Sequence, residues 1–114
     1  MRLKSAIWVS ALTRRANGAG AFAAVRRRGS EEAGAIFIKV TKQDGTAALY
    51  GAALPSLSEE LEPGVRFFSA IVPEGTPEAE SEARMAREIK FDPDLWFVEI
   101  EDREGRHFLD IAKE

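Results

Sequence analysis

Between Ala35 and Tyr50 the chain places alternating apolar side chains on either side of Asp44-Gly45, and this stretch leaves the fold the least freedom. Ile36, Ile38 and Val40 recur at every second position, with Phe37 and Lys39 between them, which is the period of a strand showing two different faces. Asp-Gly takes up the positive φ that a tight reversal demands, so Thr46–Tyr50 is expected to return antiparallel to Ala35–Thr41. Two strands alone bury too little to be stable in water. The remaining residues must therefore supply the cover.

Further strands are expected at Phe22–Arg28, closed by Gly29-Ser30, at Val65–Val72, and at Leu95–Glu101, where Trp96, Val98 and Ile100 face inward. Arg103-Glu104-Gly105 should turn the chain into a short last strand near His107–Ile111. Two stretches follow helical spacing instead. Ile7, Trp8, Ala11, Leu12 and Ala16 line one side of a helix capped by Ser5 and stopped by Asn17-Gly18, although Ile7-Trp8-Val9 also suits a strand. Thr76-Pro77-Glu78 opens the second, over 77–90, with Thr76 as N-cap and Pro77 in the first turn. Glu78, Glu80 and Glu82 favour the positive end of its dipole, and Arg84, Arg87 and Lys90 the other. Its buried stripe is expected to be Ala79, the stem of Glu82 or else Ala83, then Ala86 and Ile89. Residues 52–64 contain Pro55, Pro63 and Gly64 and read as an irregular surface excursion.

The order α-β-β-β-β-α-β-β, with hairpin signals and no regular strand–helix alternation, predicts one α+β domain over residues 1–114. Its sheet is expected to be a mainly antiparallel meander of about five or six strands with both helices on one face. Of 51 apolar residues 18 are alanine, so 33 larger side chains must fill the core, which suffices for one domain of 114 residues.

Composition removes several kinds of chemistry. With no cysteine there is no disulfide, thiolate metal site or cysteine nucleophile, and the chain suits a reducing cytoplasm. One histidine, His107, provides no pair for a metal, so no metal or cofactor is expected. No apolar run approaches the roughly 20 residues that span a bilayer, and the basic start at Arg2 and Lys4 is not followed by an adequate apolar region for a signal peptide. Gly18-Ala19-Gly20-Ala21-Phe22-Ala23 imitates a dinucleotide fingerprint, but it leaves a helix and opens a strand, the reverse of what that motif needs.

The net charge of -3 conceals a strong polarity. Residues 1–42 hold nine Lys/Arg against Glu31 and Glu32, a balance of +7, while residues 43–114 hold seven against seventeen acids, a balance of -10. Arg14, Arg15, Arg26 and Arg28 are the candidate anion-binding set, because a guanidinium makes bidentate contacts with phosphate. The competing expectation pairs Arg26 and Arg28 with carboxylates near Glu99–Glu104 on a neighbouring strand. Phe22, Phe37, Tyr50, Phe68 and Phe97 fall out of phase with the main apolar pattern and form the candidate partner surface, on an open sheet face. Asp92, Asp94, Glu99, Glu101, Asp102 and Glu104 form an acidic cluster that could hold a hard cation such as magnesium, but they read as a solvated edge hairpin, and no catalytic residue is assigned. The favoured function is a small cytoplasmic interaction or regulatory module for a protein partner, including a second copy, or for an anionic ligand. A small enzyme using His107, or a nucleic-acid-associated protein using the Arg-rich third, is the alternative, and no membrane is implicated.

Several segments together resemble a known family. They include Ile7-Trp8-Val9, Gly20-Ala21-Phe22-Ala23, Val25-Arg26-Arg27-Arg28-Gly29, Ala33 to Val40, Asp44-Gly45-Thr46, Leu49-Tyr50-Gly51, Ala86 to Asp94, and Glu99 to Asp110. Over nearly the whole chain, most weakly at 52–82, these are similar to the uncharacterised bacterial family, domain of unknown function 1491, found mainly in alphaproteobacteria. The resemblance implies a bacterial cytoplasmic origin and a standalone domain, and carries no activity, cofactor or site residue with it.

Overall fold

The computed structural model describes residues 3–53 and 65–112. Its elements run α1 (Ser5–Gly18), β1 (Phe22–Arg27), β2 (Ile36–Thr41), β3 (Thr46–Ala52), β4 (Phe67–Pro77), α2 (Glu78–Phe91), β5 (Trp96–Glu101) and β6 (Asp110–Ile111). One six-stranded sheet takes the order β1-β5-β2-β3-β4-β6. The hairpin forms as its sequence dictates: Ile38 lies beside Tyr50 and Thr41 beside Ala47, with Gly45 at φ 87° in the turn. Strand β4 continues the meander antiparallel to β3.

Beyond these three strands the expected meander breaks down, and the sheet is mixed rather than mainly antiparallel. Strand β5 inserts between β1 and β2, antiparallel to the first and parallel to the second, and β6 runs parallel to β4 at the far edge. The residues of β5 explain its position. Trp96, Phe97 and Val98 are all buried, so this strand is apolar on both faces and belongs at the centre, where both faces are covered.

The helices lie on opposite faces, not on one. Val9, Leu12 and Ala16 of α1 pack with Ile36, Ile38, Val40, Tyr50, Phe68, Trp96, Val98 and Ile100, while Met85 and Ile89 of α2 pack with Phe37, Leu49, Val72, Leu95 and Phe97. Two apolar faces need two covers. After β5 the chain does not return beside it; it crosses the α1 side of the sheet, seating Phe108 and Leu109 against that core, before ending as β6.

Helix termini also depart from expectation. Ser5 is the first helical residue, and its hydroxyl donates to the Gly34 carbonyl at 2.7 Å. The exposed amides of the first turn are satisfied by the chain itself, as Ser5 N–H donates to Glu32 O and Ala6 N–H to Glu31 O. Thr76 belongs to β4 and donates to Pro73 O, so it caps nothing, and α2 starts after Pro77. The buried side of α2 is Ser81 and Met85, whereas Ala79, Ala83 and Ala86 are exposed. Lys39, buried beneath the helix against Glu78 and Glu82, fixes that rotation. The expected excursion at 52–64 lies outside the described residues from 54 onward; Ala52 closes β3, and Ala53 N–H donates to Phe67 O.

Candidate functional site

Lys39 alternates on β2 with Ile38 and Val40, so its side chain emerges on the α2 face, where the helix covers it to 2% exposure. A buried ammonium is costly unless it is paired. Glu78 and Glu82, one helical turn apart, meet it at 2.6 and 2.5 Å, and Glu99 of β5 stands at 3.8 Å. This demand turns the carboxylate-bearing side of α2 inward and the alanine side out. Burial alone would lower the pKa of Lys39, but the hydrogen bonds to Glu78 and Glu82 outweigh it and hold the ammonium above its ordinary value. Arg26 completes the cluster, donating to Glu82 at 2.7 and 3.0 Å and to Glu99 at 2.8 Å. Glu82 is thereby held down to about 2, first by the hydrogen bond from Arg26 and then by that from Lys39.

The four candidate anion-binding arginines are not brought together. Strand β1 bulges between Val25 and Arg27, so Arg26 and Arg28 do not share a face. Arg26 lies over the Phe97 ring at 4.7 Å on the α2 side, while Arg28 lies over the Trp96 ring at 5.0 Å on the α1 side, because successive residues of β5 point oppositely. Arg15 donates to Phe108 O at 2.9 Å, and Arg14 is exposed on α1. The basic first third therefore meets the acidic remainder at Arg26 and Lys39, and at Lys42 with Glu74 at 3.8 Å, while Arg28 faces an indole and not a carboxylate.

Nor do the five aromatics form an open face. Phe68 and Phe97 are buried, Tyr50 is 7% exposed, and Phe37 is half-buried, because α1 with the C-terminal segment covers one side and α2 the other. Only Phe22 of this set is exposed, at 61%. It stands on β1, an end strand of the sheet.

The β1 margin has three parts. At its start a cleft of about 460 Å³ is lined by Gly20, Phe22, Gln43, Glu101, Glu104 and Arg106 among others. In its middle Val25 is 38% exposed. At its end a groove of about 330 Å³ runs between β1 and α2, floored by Phe97, Met85, Ala86 and Ile89 and rimmed by Arg26, Arg27 and Glu82. Arg27 donates to Pro93 O at 2.7 Å, while its buried Nε has no acceptor among the described residues. The strand's backbone is partly closed: the Asn17 side chain accepts from Ala23 N–H at 2.9 Å and donates to Ala23 O at 3.2 Å, standing where a neighbouring strand would pair.

Asp102 and His107 are also held in internal contacts. Asp102 is held down to about 2, first by the side-chain hydrogen bond from Arg106, and it also accepts from the amides of Glu104 and Arg106. Burial pushes His107 below its ordinary value; its Nδ1 accepts from Leu109 N–H, and its ring stands 5.2 Å from that of Tyr50. Among the described residues no group of three or more His, Asp or Glu is placed to hold a metal ion, and no helix is long and apolar enough to cross a membrane. Sequence reasoning passed over Lys39 and Asn17. A lone lysine inside Ile36–Val40, opposite two glutamates spaced by four, was the signal for the first.

Comparisons with known proteins agree with this architecture. A family model described as protein of unknown function (DUF1491) matches residues 3–110. The crystal structure of a DUF1491 family protein from Caulobacter crescentus is 42% identical, with a TM-score of 0.82 over 99% of this chain and 100% of that one. The solution structure of protein Atu0922 from A. tumefaciens is 43% identical, with a TM-score of 0.83 over 100% and 98%. No protein with a curated description matches.

Proposed function

The chain belongs to the DUF1491 family, which hands down no activity, and from its surface we propose a non-catalytic interaction module that binds a protein through the β1 margin. The observation that carries this is an end strand that exposes apolar groups on both faces, Val25 on the α1 side and Phe22 on the α2 side, where a groove floored with apolar side chains also runs. Water-exposed apolar groups on an end strand mark a docking edge more often than a random surface. The engagement of Lys39, Glu82, Asp102 and His107 in internal contacts supports a binding role over acid–base catalysis. The scattering of Arg14, Arg15, Arg26 and Arg28 over different faces favours a protein over a nucleic acid, whose phosphates need a contiguous basic stripe. In this reading the protein works in the cytoplasm, where a cysteine-free chain is at no disadvantage.

Site-specific photo-crosslinking tests it. A photoreactive residue at Val25 should give discrete adducts in living source cells, and one at Ile7, more exposed still on the outer side of α1, should give none. Adducts at Ile7 with none at Val25 would overturn the assignment.

A further inference from the structure

The β1 margin is opposite in character at its two ends. Its start carries the exposed Phe22 ring and, beside it across the ladder, Glu101; on the same cleft the carboxylates of Glu101, Asp102 and Glu104 outnumber Arg103 and Arg106, the latter already paired with Asp102 and Glu104. Its end carries Arg27, on the same side of the sheet as Glu101, and Arg28 beyond it. Between them along the strand Val25, beside Val98, is exposed on the opposite, α1 side of the sheet. A two-fold axis normal to a sheet reverses strand direction and keeps each face on its own side. It therefore brings the basic end of one copy against the aromatic and acidic end of the other, twice over. An isologous contact needs a surface that complements itself in this way.

We propose that the occupant of the β1 margin is a second copy of this chain, docked about such an axis so that Arg27 of each meets Phe22 and Glu101 of the other. This rests on the reading of that margin as the interaction surface. Charge complementarity selects this occupant: an acidic segment would answer Arg27 and leave the Phe22–Glu101 end idle, whereas a second copy satisfies both ends with one surface. The contact closes at two chains, since each margin is used up by its partner. Asn17 already occupies the backbone groups of Ala23, so the copies meet through side chains and not through a twelve-stranded ladder. An interface resting on exposed charges is weak and falls with salt.

The test is sedimentation equilibrium of the full chain over a hundredfold concentration range, at about 20 mM and about 300 mM salt. The mass should rise from one chain toward two, never beyond, and the dissociation constant should weaken at least about tenfold at the higher salt. Arg27→Glu and Glu101→Arg should each abolish dimerisation by setting like charges opposed. Their equimolar mixture should restore it, because in the mixed pair both contacts are again between opposite charges. A chain that stays monomeric throughout, or a mixture no more associated than its components, would overturn the proposal. The wild-type series decides the matter even if a variant fails to fold. If the chain is monomeric while a photoreactive residue at Val25 still gives discrete adducts with another protein, the self-docking fails and the interaction reading stands.

Discussion

Replacing Lys39 with methionine keeps the volume of the buried side chain and removes its charge. Breaking a buried ion pair by deleting one partner costs roughly 3–5 kcal/mol when the remaining charge is fully desolvated. Here the loss is smaller, because Glu78 and Glu82 are 44% and 39% exposed and can rehydrate, and because Arg26 still holds Glu82 and Glu99. The expected destabilisation is about 2–3 kcal/mol at neutral pH, read as a lower urea midpoint at unchanged slope. Neutralising the partners as well, in Lys39→Met/Glu78→Gln/Glu82→Gln, removes the carboxylates that the first change stranded and leaves Arg26 with Glu99. That variant should recover to within about 1 kcal/mol of the parent, since an apolar replacement of a buried pair is often neutral. A Lys39→Met protein within about 0.5 kcal/mol of the parent, or a triple variant no more stable than the single one, would refute the claim that Lys39 sets the rotation of α2.

Three other outcomes follow from the same contacts. Glu82 is held at about 2 against an ordinary 4.5, so the folded state binds fewer protons than the unfolded state between these values; its contribution is complete above about pH 4.5 and lost as pH falls toward 2. After discounting for its exposure, urea melts from pH 6 to 2.5 should show about 1–2 kcal/mol less decline in Glu82→Gln than in the parent. A methyl group at Gly29 would stand 2.2 Å from Asp94 O and 2.5 Å from the Leu95 carbonyl carbon, so Gly29→Ala must push apart two backbones and should lower stability by at least about 2 kcal/mol in the same melts. Asp102→Ala strands the amides of Glu104 and Arg106 together with the Arg106 guanidinium, and should cost about 2–4 kcal/mol by chemical denaturation.

The local elements were legible in the sequence because their causes are local. Alternation about Asp44-Gly45 specifies the β2–β3 hairpin without outside help, and glycine and proline mark the helix ends to within a few residues. The assembly was less legible, since the position of β5 depends on pairing between segments more than fifty residues apart. A hint existed in Trp96-Phe97-Val98, apolar on both faces, which favours a central strand over the outer hairpin expected. The same logic applied to Phe37, Leu49 and Phe97 would have required a cover on the second face, and so helices on both sides. Arg26 against Glu99 was foreseen as a cross-strand pair; the parting of Arg26 from Arg28 was not, because a bulge follows from three-dimensional twist and leaves no mark in Val25-Arg26-Arg27. The margin itself was half visible: Phe22 was singled out with four other aromatics, and only burial separates it from them.

The central claim is that the β1 margin docks a second copy of this chain, and amide chemical shifts recorded during concentration of the labelled protein test it most directly. Shifts should be confined to residues 20–28 and 101–106 and be reversed by salt. Shifts centred instead on Leu3, Ile7 and the outer side of α1, or none at all at millimolar concentration, would contradict it.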